Sequence, residues 1–182
     1  MNRIAIPNTE NTPAVSRPLL DAVQKKLGVT PNLMKLLGNS PAALEGYLSL
    51  SGALGKGAIG ARTGERIALA VAQYNGCHYC LSAHTYLGKH VAKLSDAEIA
   101  ANRNGASTDA KADAAVRFAL RVAKARGSVS DADIAPVKAA GYTDAEVVEI
   151  VTHVALNVLT NYINQVAQTA IDFPDVTLAL AA

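Results

Sequence analysis

The sequence predicts an all-α fold, and three observations carry that prediction. Alanine fills 35 of the 182 positions, while tryptophan is absent and aromatic residues make up 4%. A core built from Ala, Leu, Val and Ile favours helices, because Ala and Leu stand high on the helix scale whereas sheets draw on aromatic and β-branched side chains. Proline, which breaks helix interiors, is missing from residues 42–135. No segment alternates apolar and polar residues long enough to read as a strand.

Residues 1–15 read as an extended arm and residues 16–182 as a single helical domain, since a chain of this length fits one domain of about 100–200 residues. Pro18, Pro31 and Pro41 each follow a Ser or Thr by one or two residues, where proline is tolerated at a helix start. They predict helices over 17–27, 31–37 and 41–54. The first ends at Gly28 and aligns Leu19, Leu20, Val23 and Leu27 on one side. Five glycines between Gly52 and Gly64 predict a mobile connection, followed by helices over 63–75 and 77–88. Three further helices start at Ser95, Ser130 and Thr143. At the first and third, Glu98 and Glu146 complete capping boxes. Another helix runs over 108–126 and stops at Gly127.

A net charge of +2 without a clustered basic run gives no footprint for nucleic acid. The longest apolar run, Ile67 to Ala72, is far short of the roughly 20 residues of a membrane span. The N-terminal residues lack an apolar signal core, so the expected location is cytoplasmic, with no membrane partner. Two cysteines cannot form a secreted disulfide framework; a close pair in a reducing compartment does redox chemistry or binds metal.

Both cysteines fall in one segment. Asn75-Gly76 stops a helix, and Cys77 opens the next, where unpaired N–H groups and the helix dipole favour a thiolate. Cys77, Cys80 and His84 follow at i, i+3 and i+7 and share one helical face. The preceding helix folds back as an αα-hairpin, bringing Glu65 toward His84, where a carboxylate would hold the imidazole tautomer and relay protons. Three readings stay open: a dithiol redox site, a metal site and an incidental pair. Zinc would need a fourth ligand from Glu65, His78, His90 or His153. His78 and His90 are expected at the surface, and His153 as a hydrogen-bonded core or interface residue.

At these positions the sequence resembles the AhpD-like branch of the carboxymuconolactone decarboxylase family, whose redox members carry a Glu and then Cys-x-x-Cys-x-x-x-His. Glu65, Cys77, Cys80 and His84 match, and the resemblance covers residues 30–175. Tyr79 stands where the best-studied pattern has a second histidine, with His78 one residue earlier. The segment from Ala155 to Asn164 and on through Asp172-Phe173-Pro174 is similar to the peroxidase-related subgroup. The resemblance implies an all-α fold, homotrimers or homohexamers, and thiol-dependent reduction of a small hydroperoxide with no metal or haem. In that analogy Cys80 attacks, Cys77 resolves, Glu65 and His84 shuttle the proton, and an external protein or lipoyl-type dithiol resets the pair. The same chemistry would serve a disulfide reductase acting for another peroxidase. A metal-binding or oligomeric interaction protein is the alternative from another class. The family's decarboxylases lack the cysteine pair.

The last helix carries two stripes. Val147, Ile150, Val151, Val154 and Val158 form an apolar face, while Glu149, His153, Asn157, Asn161 and Gln165 recur along another. Such a polar stripe is either a solvated face or an amide-rich surface buried against the thiol helix or a neighbouring subunit.

Overall fold

The computed structural model describes residues 2–178, which contain α-helices joined by short turns and no strand. In chain order they are α1 (Ser16–Leu27), α2 (Asn32–Leu37), α3 (Pro41–Leu54), α4 (Gly60–Tyr74), α5 (His78–His90), α6 (Asp96–Arg103), α7 (Ala110–Ala125), α8 (Asp131–Ala139) and α9 (Asp144–Ala167). Residues 2–15 contain no helix. Arg3 N–H donates to the Ala167 carbonyl at 2.7 Å, tying this arm to the end of α9.

The run Ile67 to Ala72 explains the architecture. A helix that is apolar all round must be covered all round, and α4 packs against α5, α6, α7 and α9 with Ile67, Leu69, Val71 and Ala72 fully buried. On one side Leu69 and Ala72 join Leu33, Leu44, Leu81 and both cysteines. On the other, Ile67 and Val71 join Phe118, Val122, Val137 and Ile150. Full burial of such a side chain stabilises the fold by roughly 1.5–3 kcal/mol.

The expected mobile connection over 52–64 is corrected. Helix α3 continues through Gly52, α4 already starts at Gly60, and residues 55–59 alone join them. Two of these glycines are sites of close approach. A Cβ at Gly57 would stand 2.6 Å from the Glu149 carboxylate, and one at Gly64 would stand 2.8 Å from the His153 ring. The helix starts are corrected as well. Ser95 accepts from Glu98 N–H at 3.1 Å, but the Glu98 carboxylate turns inward to Arg66 instead of back to Ser95. The reciprocal arrangement occurs at Thr143/Glu146, as expected, and at Ser130/Asp133, where the carboxylate accepts the Ser130 N–H at 2.8 Å.

Candidate active site

Helix α4 stops because Gly76 adopts φ +67°, a left-handed conformation that glycine reaches without strain. The chain reverses and Cys77 becomes the N-cap of α5, so this helix starts one residue later than expected. The Cys77 Sγ accepts the Cys80 N–H at 3.3 Å, a place ordinarily taken by a Ser, Thr or Asp oxygen. Cys80 lies in the first turn, and its Sγ accepts from Asn164 Nδ2 of α9 at 3.2 Å. One turn on, His84 Nδ1 meets Glu65 Oε2 of α4 at 2.9 Å. The α4–α5 hairpin thus brings the four sequence-nominated residues to one region. Both thiols are free and buried, at 1% exposed for Cys77 and 3% for Cys80. The Glu65 and His84 side chains remain about a fifth exposed, at 22% and 21%.

The electrostatics separate the two sulfurs. Burial opposes a charge on Cys80, yet hydrogen bonding from Cys77, the neighbouring His84, and the amides of Asn164 and Asn161 together lower its pKa to about 7. Cys77 moves the other way. Its hydrogen bond with Cys80 and then its burial hold the thiol well above the ordinary range. The helix-start position alone predicted a thiolate at Cys77; the shared hydrogen bond assigns the negative charge to Cys80. For His84, burial resists protonation, but Glu65 and the Cys80 sulfur outweigh it and raise its pKa.

A C-terminal strap crosses this helix start. Tyr79 Oη donates to Asp172 Oδ1 at 2.8 Å and accepts the Leu33 N–H at 3.1 Å, while Asp172 Oδ2 accepts the Asn32 N–H at 2.7 Å. Phe173 meets the Tyr79 ring edge-on, with centroids 5.9 Å apart. His78 keeps its side chain 41% exposed, as expected, and is also held by the strap, its Nε2 lying 2.7 Å from both Asp175 Oδ1 and the Val176 carbonyl. His90 is exposed and stacks on Tyr86. His153, expected to be hydrogen-bonded, keeps its Nε2 buried without a partner among the described residues. Among the described residues no three His, Cys, Asp or Glu side chains cluster as metal ligands. No helix among them is long and apolar enough to cross a membrane.

The polar stripe of α9 is buried for much of its length, which overturns the solvated reading. Asn157 and Asn161 are inaccessible, and Asn161 Oδ1 accepts from Asn75 Nδ2 at 2.8 Å beside the thiol helix. Glu149 accepts the Ile59 N–H at 3.0 Å and so satisfies a donor before α4; of the stripe, Gln165 alone is exposed. The residue that touches the thiol, Asn164, lies beside this stripe and was not singled out from sequence. The available signal was the recurrence of Asn at 157, 161 and 164, which keeps an amide on one flank of the helix.

The two cysteines on α5 and Glu65 on α4 thus meet through a hairpin inside an all-helical bundle. Residues 41–125 match the profile of the carboxymuconolactone decarboxylase family, and that match, together with the structural neighbours, supports an AhpD-like reading of the chain. The fold is similar to the AhpD core of an uncharacterized peroxidase-related protein from Ralstonia eutropha JMP134, with a TM-score of 0.83 and 26% identity over 94% of this chain and 92% of that one. A second peroxidase-related protein, from Silicibacter sp. TM1040, aligns with a TM-score of 0.80 and 21% identity over 92% and 89% of the two chains. The debrominase Bmp8 shares the fold at a TM-score of 0.76 and 18% identity, over 93% of this chain and 92% of its own. No curated protein sequence matches the chain.

Proposed function

We propose that the chain is a thiol-dependent oxidoreductase that reduces a small hydroperoxide through a Cys77/Cys80 dithiol–disulfide cycle. The observation that carries this reading is the Cys80 sulfur, which takes an amide donor from Asn164 and lies beside an imidazole anchored by Glu65. In the first step the Cys80 thiolate attacks the terminal peroxide oxygen. The O–O bond breaks, Cys80 becomes a sulfenic acid, and the departing alkoxide takes a proton from His84, whose cationic form Glu65 stabilises. Cys77 then attacks the sulfenic sulfur; its thiol proton leaves with the hydroxyl as water, and the 77–80 disulfide forms. An external dithiol, from a protein or a lipoyl-type group, restores the pair, and the cycle uses no metal or haem. The chain acts in the cytoplasm as a homotrimer or homohexamer.

Adding one equivalent of an alkyl hydroperoxide to reduced protein tests the cycle. Mass spectrometry should show the loss of two hydrogens and a 77–80 crosslink that dithiothreitol reverses. Thiols that stay free under excess hydroperoxide would sink the proposal. Rapid oxidation by a protein disulfide, with no response to hydroperoxide, would make the chain a disulfide reductase serving another peroxidase.

A further inference from the structure

We infer that an amide-lined cleft beside Cys77 is the reductant site, where an uncharged thiol enters and attacks the Cys77 sulfur of the oxidised pair, expelling Cys80 as thiolate. The inference rests on the dithiol cycle above and adds the sulfur attacked and the route to it. The cleft has a volume of about 430 Å³; Cys77, Tyr79, Asn164, Gln165 and Gln168 are among its lining residues, and Cys80 is not. Glu65 and His84 do not line it either.

Its chemistry selects the visitor. Among the described residues no Lys, Arg, Asp or Glu lines the cleft, and its one histidine, His78, has its Nε2 taken up by Asp175 and the Val176 carbonyl, so a charged thiol would give up hydration with no free counter-ion to replace it, whereas an uncharged one exchanges hydrogen bonds with amides. Asn164 is 3% exposed and its Oδ1, shielded from water, has no partner among the described residues, an acceptor left unsatisfied until an S–H or O–H donor is seated against it. Its Nδ2 already donates to Cys80 Sγ, the atom that must leave.

Leaving-group chemistry gives the same direction. In thiol–disulfide exchange the thiol that better carries negative charge departs faster. Cys80 has Asn164 and His84 to hold that charge, while Cys77 has a hydrogen bond with Cys80 and burial against it. The incoming thiol gives its proton to solvent and its sulfur bonds to Cys77 Sγ; the 77–80 bond breaks and its electron pair stays on Cys80. A second donor sulfur then displaces Cys77, which takes up a proton. Two donor thiols are oxidised to a disulfide as the protein pair is reduced.

The test starts from protein oxidised with diamide, which makes the disulfide without peroxide chemistry. After brief exposure to 2-mercaptoethanol and quenching with N-ethylmaleimide, tandem mass spectrometry of the peptide between Arg66 and Lys89 locates each adduct. The mercaptoethanol disulfide is expected on Cys77 and the maleimide on Cys80; the reverse placement overturns the inference. At equal thiolate concentration, anionic thioglycolate should reduce the pair more slowly than 2-mercaptoethanol, and Gln168→Glu at the exposed end of the cleft should widen that gap about threefold. An unchanged gap overturns the assignment of the cleft. If hydroperoxide fails to oxidise the pair but diamide-formed disulfide is opened at Cys77, the peroxidase reading falls and the reductant site stands. A pair that stays reduced even under diamide ends both.

Discussion

Against the opposing effect of burial, Cys80 owes its lowered pKa first to Cys77 and His84 of its own hairpin and then to the amides of Asn164 and Asn161 on α9. The i, i+3, i+7 spacing and the twelve residues from Glu65 to Cys77 were enough to nominate the quartet, because helical geometry is local. Asn164 lies 84 positions from Cys80, and its contact exists only once α9 has docked. Since Cys80 titrates near 7, its alkylation by iodoacetamide should rise with pH and reach half its plateau close to that value, while Cys77 reacts much more slowly. His84→Ala removes the positive neighbour and should move the midpoint upward by roughly one unit. A midpoint that stays put would detach His84 from the thiol. Of the cysteine variants, Cys80→Ser should abolish turnover, whereas Cys77→Ser should react once and stall as a sulfenic acid that dimedone traps. Labelling confined to Cys77 in the Cys80→Ser protein would exchange the two roles.

Elements meet through buried polar groups whose partners lie on other helices, and here sequence reading was weakest. Glu98 illustrates the reason: its Ser95-x-x-Glu98 pattern is a capping motif, but tertiary structure takes the carboxylate for Arg66 at 2.7 Å, Asn102 at 2.9 Å and the 107–108 turn. Burial alone would raise its pKa, yet hydrogen bonds from Ser107, Thr108 and Asn102 bring it down to about 2. A carboxylate depressed in the folded state stabilises the fold in full above its unfolded pKa, so this contribution should fade as pH falls from about 4.5 toward 2. Glu98→Ala should cost about 3–5 kcal/mol in urea unfolding at pH 7, because it strands the buried Arg66 guanidinium. A cost under about 1 kcal/mol would show that Arg66 finds water instead.

The α4–α9 contact at Gly64 gives a second check between elements. Ala is normally better than Gly inside a helix by roughly 0.5–1 kcal/mol. At this position, however, a Cβ would meet His153 Cε1 at 2.8 Å. Gly64→Ala should therefore destabilise the parent yet turn neutral or stabilising in a His153→Ala background, a coupling that a double-mutant cycle measures. Additive effects would mean that the two helices can slide apart at no cost.

On the scale of the whole molecule, the all-helical architecture was legible because alanine and proline statistics act along the entire chain, whereas its outer surface was not. Helix α9 buries Ile150, Val154, Asn161 and Asn164, but its opposite face leaves Val148, Val151, Leu159, Tyr162 and Val166 exposed. With Ala155, these residues repeat at steps of three and four along the 24-residue helix, the spacing of a seam between packed helices. Val151 was expected on the same face as Val154; it is exposed instead, about 60° around the helix from both Val148 and Val154, at the border between the outer and inner faces. A contiguous apolar stripe of this length is unusual on a monomer and fits burial against a second copy of the chain. Light scattering should return a multiple of 18.8 kDa, three or six by the family resemblance. Leu159→Glu combined with Tyr162→Glu should bring the mass down to one chain, because two carboxylates at the centre of the seam would have to be desolvated in every interface. The same variant should keep its helical circular dichroism, as both side chains point away from the core that holds Cys77 and Cys80. A parent protein that scatters as one chain would leave this stripe solvated, and a double variant that stays assembled would place the interface on another face.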